Sequence, residues 1–262
     1  MAEVAVPPPP PGKRIALVAG GTGLVGSHLL PLLCGAQEFS RVLALSRRPL
    51  VYDHPKIANR IVRFDDSGQT WSGLRADVAF CCLGTTRAAA GSQEAFARVD
   101  RDLVISFARA ALQGGVQRFV FVSAVGADPA SKNFYLRVKG ETETELAKLG
   151  FAGLDILQPS LLLGWRRELR PLELAAMAVM PLINPLMLGD AERYRAVSAE
   201  TVARALLGAE RVGRKGTQRY THRGILELAA AGERDSSARS TAAPGQESAR
   251  EGFAARDRRN SG

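Results

Sequence analysis

A glycine-rich turn that follows directly on an apolar run is the feature that most restricts the fold of this chain. Residues 15–19 (IALVA) have the composition of a buried strand, and residues 20–26 (GGTGLVG) follow without a break. Gly20 and Gly23 permit unusual dihedrals and a close approach of the backbone to a pyrophosphate. Gly26 lets the next helix pack closely, and that helix offers its N-terminal N–H groups to phosphates. The turn therefore predicts a dinucleotide site, although a purely structural strand–turn–helix remains the alternative.

Short apolar runs alternate with helical segments along the chain, which is typical of a parallel sheet with helical crossovers. We expect six strands, at about residues 14–19, 41–46, 60–64, 77–82, 117–122 and 154–158. Apolar spacing predicts helices from residue 24 to 30, 93 to 112, 133 to 149, and from Ser198 as N-cap to 207. The sequence thus predicts an α/β fold, a Rossmann-type doubly wound parallel sheet with a small C-terminal substrate-side region.

The two ends of the chain differ in composition from its middle. Residues 1–12 are rich in proline and predict a disordered polyproline arm without the pattern of a signal peptide. Residues 13–228 form the predicted NAD(P)-binding domain, and residues 229–262, poor in large apolar side chains, predict a disordered tail. The longest apolar stretch, 174–188, is too short to span a bilayer, and we expect it to cover a pocket or a subunit contact.

The formal net charge is +9, and its excess lies in the predicted domain. A nucleic-acid partner is one explanation, but no nucleic-acid module accompanies the basic clusters, and a phosphate-rich cofactor with a solvated basic surface is simpler. The three cysteines form neither a disulfide framework nor a zinc pattern, and the three histidines are scattered, so no metal site is predicted. We expect a cytoplasmic monomer or homodimer that acts on a small molecule, with a protein partner left open and no integral membrane segment.

Tyr135, Lys139 and Ser123 could exchange a proton with a substrate oxygen. Tyr135 and Lys139 are four residues apart, so on a helix they share one face. A free phenol, with a pKa of about 10, is a weak acid–base catalyst, but a neighbouring ammonium favours the phenolate form. Ser123 follows a predicted strand at the edge where parallel sheets bind ligands, and its hydroxyl could donate to the same oxygen and polarise a carbonyl. The alternative for the Tyr–Lys pair is an exposed helix pair without function.

With these motifs in place, the chain resembles the atypical short-chain dehydrogenases/reductases, and in detail the family of Tat-interacting oxidoreductases and their bacterial relatives. The matching segments run from the glycine turn to about residue 221 and include LSRRP at 45–49, CLGTTRAAAG at 82–91, RVDRD at 98–102, SAVGAD at 123–128, YLRVKGE at 135–141 and ELRP at 168–171. One departure is Gln158, which stands where the family commonly has Arg.

The resemblance implies an NADP(H) site whose residues can be carried over by position. Along the pyrophosphate it places Gly20, Thr22, Gly23, Leu24 and Val25. At the adenosine end it places Arg47, Arg48, Leu83 and Gly84, and at the nicotinamide end Tyr135 and Lys139. Two further positions that border the cofactor in the family correspond to Leu162 and Arg170.

The residues after the second predicted strand indicate which coenzyme is used. Enzymes that bind NAD usually offer an acidic residue to the ribose hydroxyls there. This chain has Arg47 and Arg48, whose guanidinium groups suit the 2′-phosphate of NADP, unless they are simply solvated. The sequence therefore predicts an NADPH-binding oxidoreductase that transfers a hydride on a carbonyl or alcohol. An NADPH-sensing regulatory protein with little turnover, and a nucleotide-sugar epimerase or dehydratase, remain alternatives.

Overall fold

The computed structural model describes residues 11–62, 73–163 and 189–240. Its helices and strands, in chain order, are β1 (Arg14–Ala19), α1 (Leu24–Gly35), β2 (Phe39–Ser46), β3 (Ile57–Ile61), β4 (Val78–Cys81), α2 (Arg87–Ala90), α3 (Gln93–Ala97), α4 (Leu103–Gln113), β5 (Arg118–Val122), α5 (Phe134–Lys148), β6 (Gly153–Leu157), β7 (Leu162–Leu163), β8 (Val197–Ser198), α6 (Ala199–Val212), β9 (Gly216–Tyr220) and α7 (His222–Ser240). A π-helical turn, Arg98–Asp102, joins α3 to α4, and a 3₁₀ helix, Gly189–Tyr194, precedes β8.

Seven parallel strands form the main sheet in the order β3-β2-β1-β4-β5-β6-β9. The order reverses between β1 and β4, so the loops after these two strands flank the crevice where doubly wound sheets bind ligands. The predicted fold class is therefore confirmed. The sequence reading missed β9, because its residues 216–220 (GTQRY) are largely polar and lie at the edge of the sheet.

The sheet has an apolar core on each face, and β1 contributes to both. Ala16 and Val18 face the core formed with α1, α6 and α7. Leu17 and Ala19 face the core formed with α4 and α5. Because a parallel strand covered on both faces is buried throughout, its sequence is continuously apolar. This is why the sequence pattern located β1, β2, β4, β5 and β6 well.

Helix α7 extends beyond the predicted end of the domain. Residues 229–240 were expected to be disordered, but they continue this helix to Ser240, so the expectation is wrong for that segment. A Cβ built on Gly208 of α6 would lie 1.9 Å from the Leu228 oxygen, and one on Gly232 would lie 2.6 Å from the Arg204 oxygen. The two helices pack through glycines at close range, and a search for large apolar residues does not detect such a contact.

The helix predicted over 93–112 is helical throughout, with the π-helical turn in its middle. Asn133 and Ser198 cap α5 and α6 through their side chains, and Ser198 was the predicted N-cap. The proline-rich segment up to residue 10, the apolar stretch at 174–188 and the tail after residue 240 lie outside the described residues. None of the helices in the described part of the chain is long and apolar enough to cross a membrane.

Candidate functional site

Of the three glycines discussed in the turn after β1, Gly20 and Gly26 leave no room for a side chain. Gly20 has a φ of +86°, and a Cβ on it would lie 2.5 Å from the Cys82 carbonyl group. A Cβ on Gly26 would lie 2.2 Å from the Gly20 oxygen. Gly23, by contrast, has an ordinary φ of −80°, so no unusual dihedral explains it. Its N–H donates to the Gly20 oxygen at 3.0 Å, which closes the turn.

The N-terminus of α1 emerges from this turn without a side-chain cap. Its N-cap is Gly23, which has no side chain to bond the first N–H groups, and no acidic residue lies in the first helical turn. Thr22 and Gly23 are exposed, Leu24 is half-buried and Val25 is buried in the core. Uncapped N–H groups at the positive end of a helix favour a bound anion. The turn therefore fits the pyrophosphate of a dinucleotide.

Arg47 and Arg48 follow β2 and are both exposed. Neither forms an ion pair with any residue in the described ranges. Hydrogen bonds from Asn59 of the neighbouring strand β3 hold the start of this loop. The Asn59 amide nitrogen donates to the Ala44 oxygen at 3.0 Å and to Ser46 Oγ at 2.8 Å. The Ser46 hydroxyl in turn donates to the Arg48 oxygen at 2.6 Å. Two guanidinium groups that pair with no carboxylate of the described residues thus lie on a braced loop at the carboxyl end of the sheet.

The loop after β4 packs directly against the predicted catalytic lysine. Leu83 is half-buried and Gly84 is exposed. A Cβ on Gly84 would lie 3.4 Å from Asp100 Oδ1 and 3.8 Å from Lys139 Nζ. The N–H of Thr85 donates to Asp100 Oδ2 at 2.8 Å. Asp100 therefore ties this loop to α5, a connection that the sequence analysis did not predict.

Asp100 and Lys139 form a buried ion pair. Lys139 Nζ lies 2.8 Å from Asp100 Oδ1, and the two side chains are 5% and 1% exposed. Burial lowers the pKa of Lys139, but attraction to Asp100 and to Tyr135 outweighs it, so the pKa lies above its ordinary value. Asp100 sits in the π-helical turn, an irregularity that often occurs at functional sites. Lys139 is therefore a fixed, charged ammonium at the base of the site.

Tyr135 lies one turn before Lys139 on α5, as predicted. Its ring is half-buried and packs on the buried Phe96 ring with 5.5 Å between centroids. The side chain of Asn133 accepts the N–H groups of Tyr135 and Leu136 at 2.9 and 3.3 Å, which fixes the start of the helix. Tyr135 therefore lies at a helix start that is held by hydrogen bonds. The alternative of an exposed Tyr–Lys pair is excluded for Lys139, because its side chain is buried.

Ser123 directly follows β5, and its hydroxyl donates to Glu143 Oε1 at 2.6 Å. Glu143 also accepts from Gln158 Nε2 at 2.8 Å and from Arg219 Nε at 2.8 Å. Tyr135, Lys139 and Glu143 are spaced by four residues, so they form one row along α5. Sequence reasoning missed Glu143, although its spacing from Lys139 repeats that of Lys139 from Tyr135.

The two remaining predicted cofactor contacts lie on the substrate side. Leu162 belongs to β7, pairs with Val197 of β8, and packs on the core that contains α1. Arg170 lies outside the described residues.

Comparison with known proteins shows the family to which this chain belongs. The model of the NAD dependent epimerase/dehydratase family matches residues 16–147, from β1 to the last turn of α5. Protein HTATIP2 of Rattus norvegicus is 38% identical over 199 residues, which are 74% of this chain and 80% of that protein. Among solved structures, MoeE5 in complex with UDP-glucose and NAD aligns with a TM-score of 0.58 at 16% identity, covering 82% of this chain and 80% of that chain. The predicted resemblance is confirmed.

The relatives contradict the expected cytoplasmic location. Protein FMP52 of Coccidioides immitis is 31% identical over 232 residues, which are 80% of this chain and 94% of that protein, and it is named as mitochondrial. The cytoplasmic location was inferred from three cysteines that form no disulfide framework, and this pattern does not distinguish between the two compartments.

Proposed function

This chain belongs to the NAD dependent epimerase/dehydratase family, and on that premise we propose that it is an NADPH-binding oxidoreductase of the atypical short-chain dehydrogenase/reductase type. Its reaction is hydride transfer to or from a carbonyl or alcohol substrate. One observation carries the proposal: the buried Lys139 ammonium lies next to the loop after β4 and one helical turn from Tyr135, to which it is electrostatically attracted.

The residues that would hold the cofactor follow the carboxyl edge of the sheet. The pyrophosphate would meet the turn and the uncapped start of α1, at Gly20, Thr22, Gly23, Leu24 and Val25. The adenosine end would meet the loops after β2 and β4, at Arg47, Arg48, Leu83 and Gly84. On the nicotinamide side would lie Tyr135 and Lys139, and the resemblance adds Leu162 and Arg170 as further proposed contacts. The bound nicotinamide supplies or accepts the hydride.

Tyr135 is the proposed acid–base residue. Its phenol gives a proton to the substrate oxygen when a carbonyl is reduced and takes it back when an alcohol is oxidised. The Lys139 ammonium stabilises the phenolate and can also bind a ribose hydroxyl. Asp100 keeps that ammonium charged and in place, because it pairs with Nζ at 2.8 Å in a site closed to water. Ser123 is the third proposed site residue, in contact with the substrate.

The preference for NADPH rests on Arg47 and Arg48. Both are exposed in the loop after β2, and no carboxylate of the described residues pairs with them. A guanidinium group binds a phosphate through two parallel hydrogen bonds. An ordinary NAD site would instead need an acceptor for the ribose hydroxyls, which these side chains do not offer.

The test has three steps. Mass spectrometry identifies the nucleotide that co-purifies with the full chain, calorimetry compares NADPH with NADH, and a carbonyl panel finds a substrate.

With that substrate, Tyr135→Phe should lower turnover by about 10²–10⁴-fold, because it removes the proton carrier and keeps the ring. NADPH affinity should barely move. Tyr52→Phe, which removes a hydroxyl far along the chain from α5, is the matched control. Full activity of Tyr135→Phe would refute the proposed function.

A second function is favoured by the family match itself. MoeE5, a structure similar to this chain, is described in complex with UDP-glucose and NAD. A nucleotide-sugar epimerase would retain tightly bound NAD through purification and turn over a sugar nucleotide without net use of coenzyme. Co-purified NADP(H) and stoichiometric NADPH oxidation would exclude it. Tight NADPH binding without turnover of any carbonyl would instead support a cofactor-sensing protein.

A further inference from the structure

One asparagine side chain holds both ends of residues 46–50, the arginine loop. Asn59 lies on the edge strand β3, next to β2. Its amide nitrogen donates to the Ala44 oxygen at 3.0 Å and to Ser46 Oγ at 2.8 Å, at the point where the loop leaves β2. Its amide oxygen accepts the N–H of Leu50 at 3.1 Å, where the loop ends. Both donor hydrogens of the amide and its oxygen are therefore used on this loop and the strand before it.

The hydroxyl of Ser46 continues this chain of hydrogen bonds into the loop. It accepts from the Asn59 amide and donates to the Arg48 oxygen at 2.6 Å. Ser46 is 3% exposed, and its backbone oxygen accepts the N–H of Val62 at 2.9 Å. A hydroxyl that accepts one bond while it donates another strengthens both. The backbone that carries the two arginines is therefore held at its start, in its middle and at its end.

The far end of the arginine loop packs against the glycine turn. Leu50 is half-buried and packs on the core that contains α1. A Cβ built on Gly21 would lie 3.6 Å from Leu50 Cδ2, so the leucine side chain lies next to this part of the turn. The loop proposed for the 2′-phosphate and the turn proposed for the pyrophosphate are thus in direct contact. Their relative position is set by the packing of Leu50 and by the bonds of Asn59.

The hydrogen bonds of the loop matter because its arginine side chains have no ionic partner to orient them. Arg47 and Arg48 are exposed, and no carboxylate of the described residues pairs with either. Long side chains lose rotamer freedom when they bind a ligand, and a backbone that is already held in place lowers this cost. Asn59 is itself exposed, so removing its side chain leaves no cavity in a core. Its loss should therefore affect coenzyme binding more than folding.

We propose that Asn59 is a positioning residue for coenzyme choice. Through the arginine loop it holds both guanidinium groups where they reach the 2′-phosphate of NADPH. The proposal rests on the NADPH preference proposed above and adds the residue that makes the two arginines effective. Asn59 acts through the loop and not on the coenzyme itself. NADH has no 2′-phosphate, so its binding gains nothing from this arrangement.

The test measures the Kd of NADPH and of NADH by calorimetry on the full chain. The variants are Asn59→Ala, Ser46→Ala, and Asn59→Ala combined with Arg47→Ala and Arg48→Ala. Gln218→Ala is the matched control, because Gln218 also carries a side-chain amide on an edge strand, β9, and donates to a backbone oxygen at 3.1 Å. Thermal unfolding of each variant shows whether it is folded.

Asn59→Ala should weaken NADPH binding by about 3- to 10-fold and leave NADH binding unchanged, because it releases the loop at both ends. Ser46→Ala should act in the same direction, since it breaks the bond to the Arg48 oxygen. In the chain that lacks both arginines, Asn59→Ala should change neither affinity, because the loop then has no guanidinium group to position. Gln218→Ala should change nothing.

An unchanged ratio of the two affinities in Asn59→Ala, or an equal loss for NADPH and NADH, would overturn the proposal. A further loss of NADPH affinity when Asn59→Ala is added to the chain without the arginines would do the same. If Asn59→Ala does not fold, Ser46→Ala decides the outcome, since it breaks the same chain of hydrogen bonds.

Failure of this proposal can be told apart from failure of the proposed NADPH preference. Equal affinity of the unchanged protein for both coenzymes would refute the preference and the positioning role together. A preference that depends on Arg47 and Arg48 but survives both Asn59→Ala and Ser46→Ala would refute only the positioning role.

Discussion

The glycine turn and the buried face of α5 meet at one edge of the sheet, but different forces hold them. In the turn, backbone atoms touch backbone atoms, and a single added carbon on Gly26 would lie 2.2 Å from the Gly20 oxygen. On α5, charged side chains meet partners from distant elements, as in the pair of Lys139 with Asp100 at 2.8 Å. The turn therefore cannot tolerate an added atom, whereas the α5 face cannot tolerate a lost charge.

The largest effect should come from removing a charge on the α5 side. Asp100→Asn keeps the shape of the side chain and an acceptor for the Thr85 N–H, but leaves the Lys139 ammonium buried without a counter-charge. Breaking a buried ion pair in this way costs about 3–5 kcal/mol of unfolding free energy. Urea unfolding measures the loss. Asp102→Asn, which breaks a surface pair with Arg101, is the control and should cost less than about 1 kcal/mol.

The same variant should reverse the pH dependence of stability. In the unchanged protein the pKa of Lys139 is raised, so its contribution is complete at neutral pH and is lost only as pH rises through that raised pKa. Without Asp100, burial lowers the pKa of Lys139 in the folded protein below its value in the unfolded chain. The unfolded chain then binds more protons than the folded protein, so the unfolding free energy rises with pH. The deficit of Asp100→Asn should therefore shrink between pH 7 and pH 9, a range that lies below the ordinary lysine pKa of about 10.4. A constant deficit would mean that the ammonium is not the cause.

An added atom in the turn should have the next largest effect. Gly26→Ala forces α1 away from the turn, and overpacking of this kind costs about 1–3 kcal/mol of unfolding free energy. NADPH binding should be lost with it, because the turn and the N–H groups of α1 no longer align. Gly35→Ala tests the other end of the same helix, where a Cβ would meet nothing within 4 Å, and it should leave both quantities intact. A Gly26→Ala protein that binds NADPH normally would show that the turn is not the phosphate site.

The same contrast explains what could be predicted from the sequence. The positive φ of Gly20 and the contact of Gly26 with the Gly20 oxygen are local requirements, so the run from residue 15 to Gly26 was enough to locate the strand, the turn and the helix. The contact of Gly20 with Cys82 is not local, and the sequence did not predict it. Tyr135 and Lys139 were found because their spacing is also local. Asp100, Glu143 and the edge strand β9 were not found, because their roles depend on contacts with residues distant along the chain.

A smaller effect is expected at the adenosine end, where charges are exposed to water. Arg47→Ala combined with Arg48→Ala should weaken NADPH binding by about 10- to 100-fold, since two charge-assisted contacts with the 2′-phosphate are lost. NADH binding should not change. Calorimetry with both coenzymes measures the difference. The combination Arg109→Ala with Lys148→Ala removes the same net charge from α4 and α5, and it should leave the ratio of the two affinities unchanged. An equal loss for NADPH and NADH would contradict the assignment.

The smallest effect on NADPH binding should come from shortening the C-terminus, because α7 and α5 contribute to the cores on opposite faces of the sheet. A chain ending after Ser240 should keep the melting temperature and the NADPH affinity of the full chain. A chain ending after Leu228 loses the Gly232 contact with α6, the pair of Arg204 with Glu233, and the bond from Arg211 to the Gly232 oxygen. Its melting temperature should fall by about 2–10 °C, as expected for a loss of about 1–3 kcal/mol in a domain of this size. NADPH affinity should stay the same in both chains, because α7 packs on the opposite side of the sheet from α5. A loss of affinity in the shorter chain would show that this helix supports the site through α6 and α1.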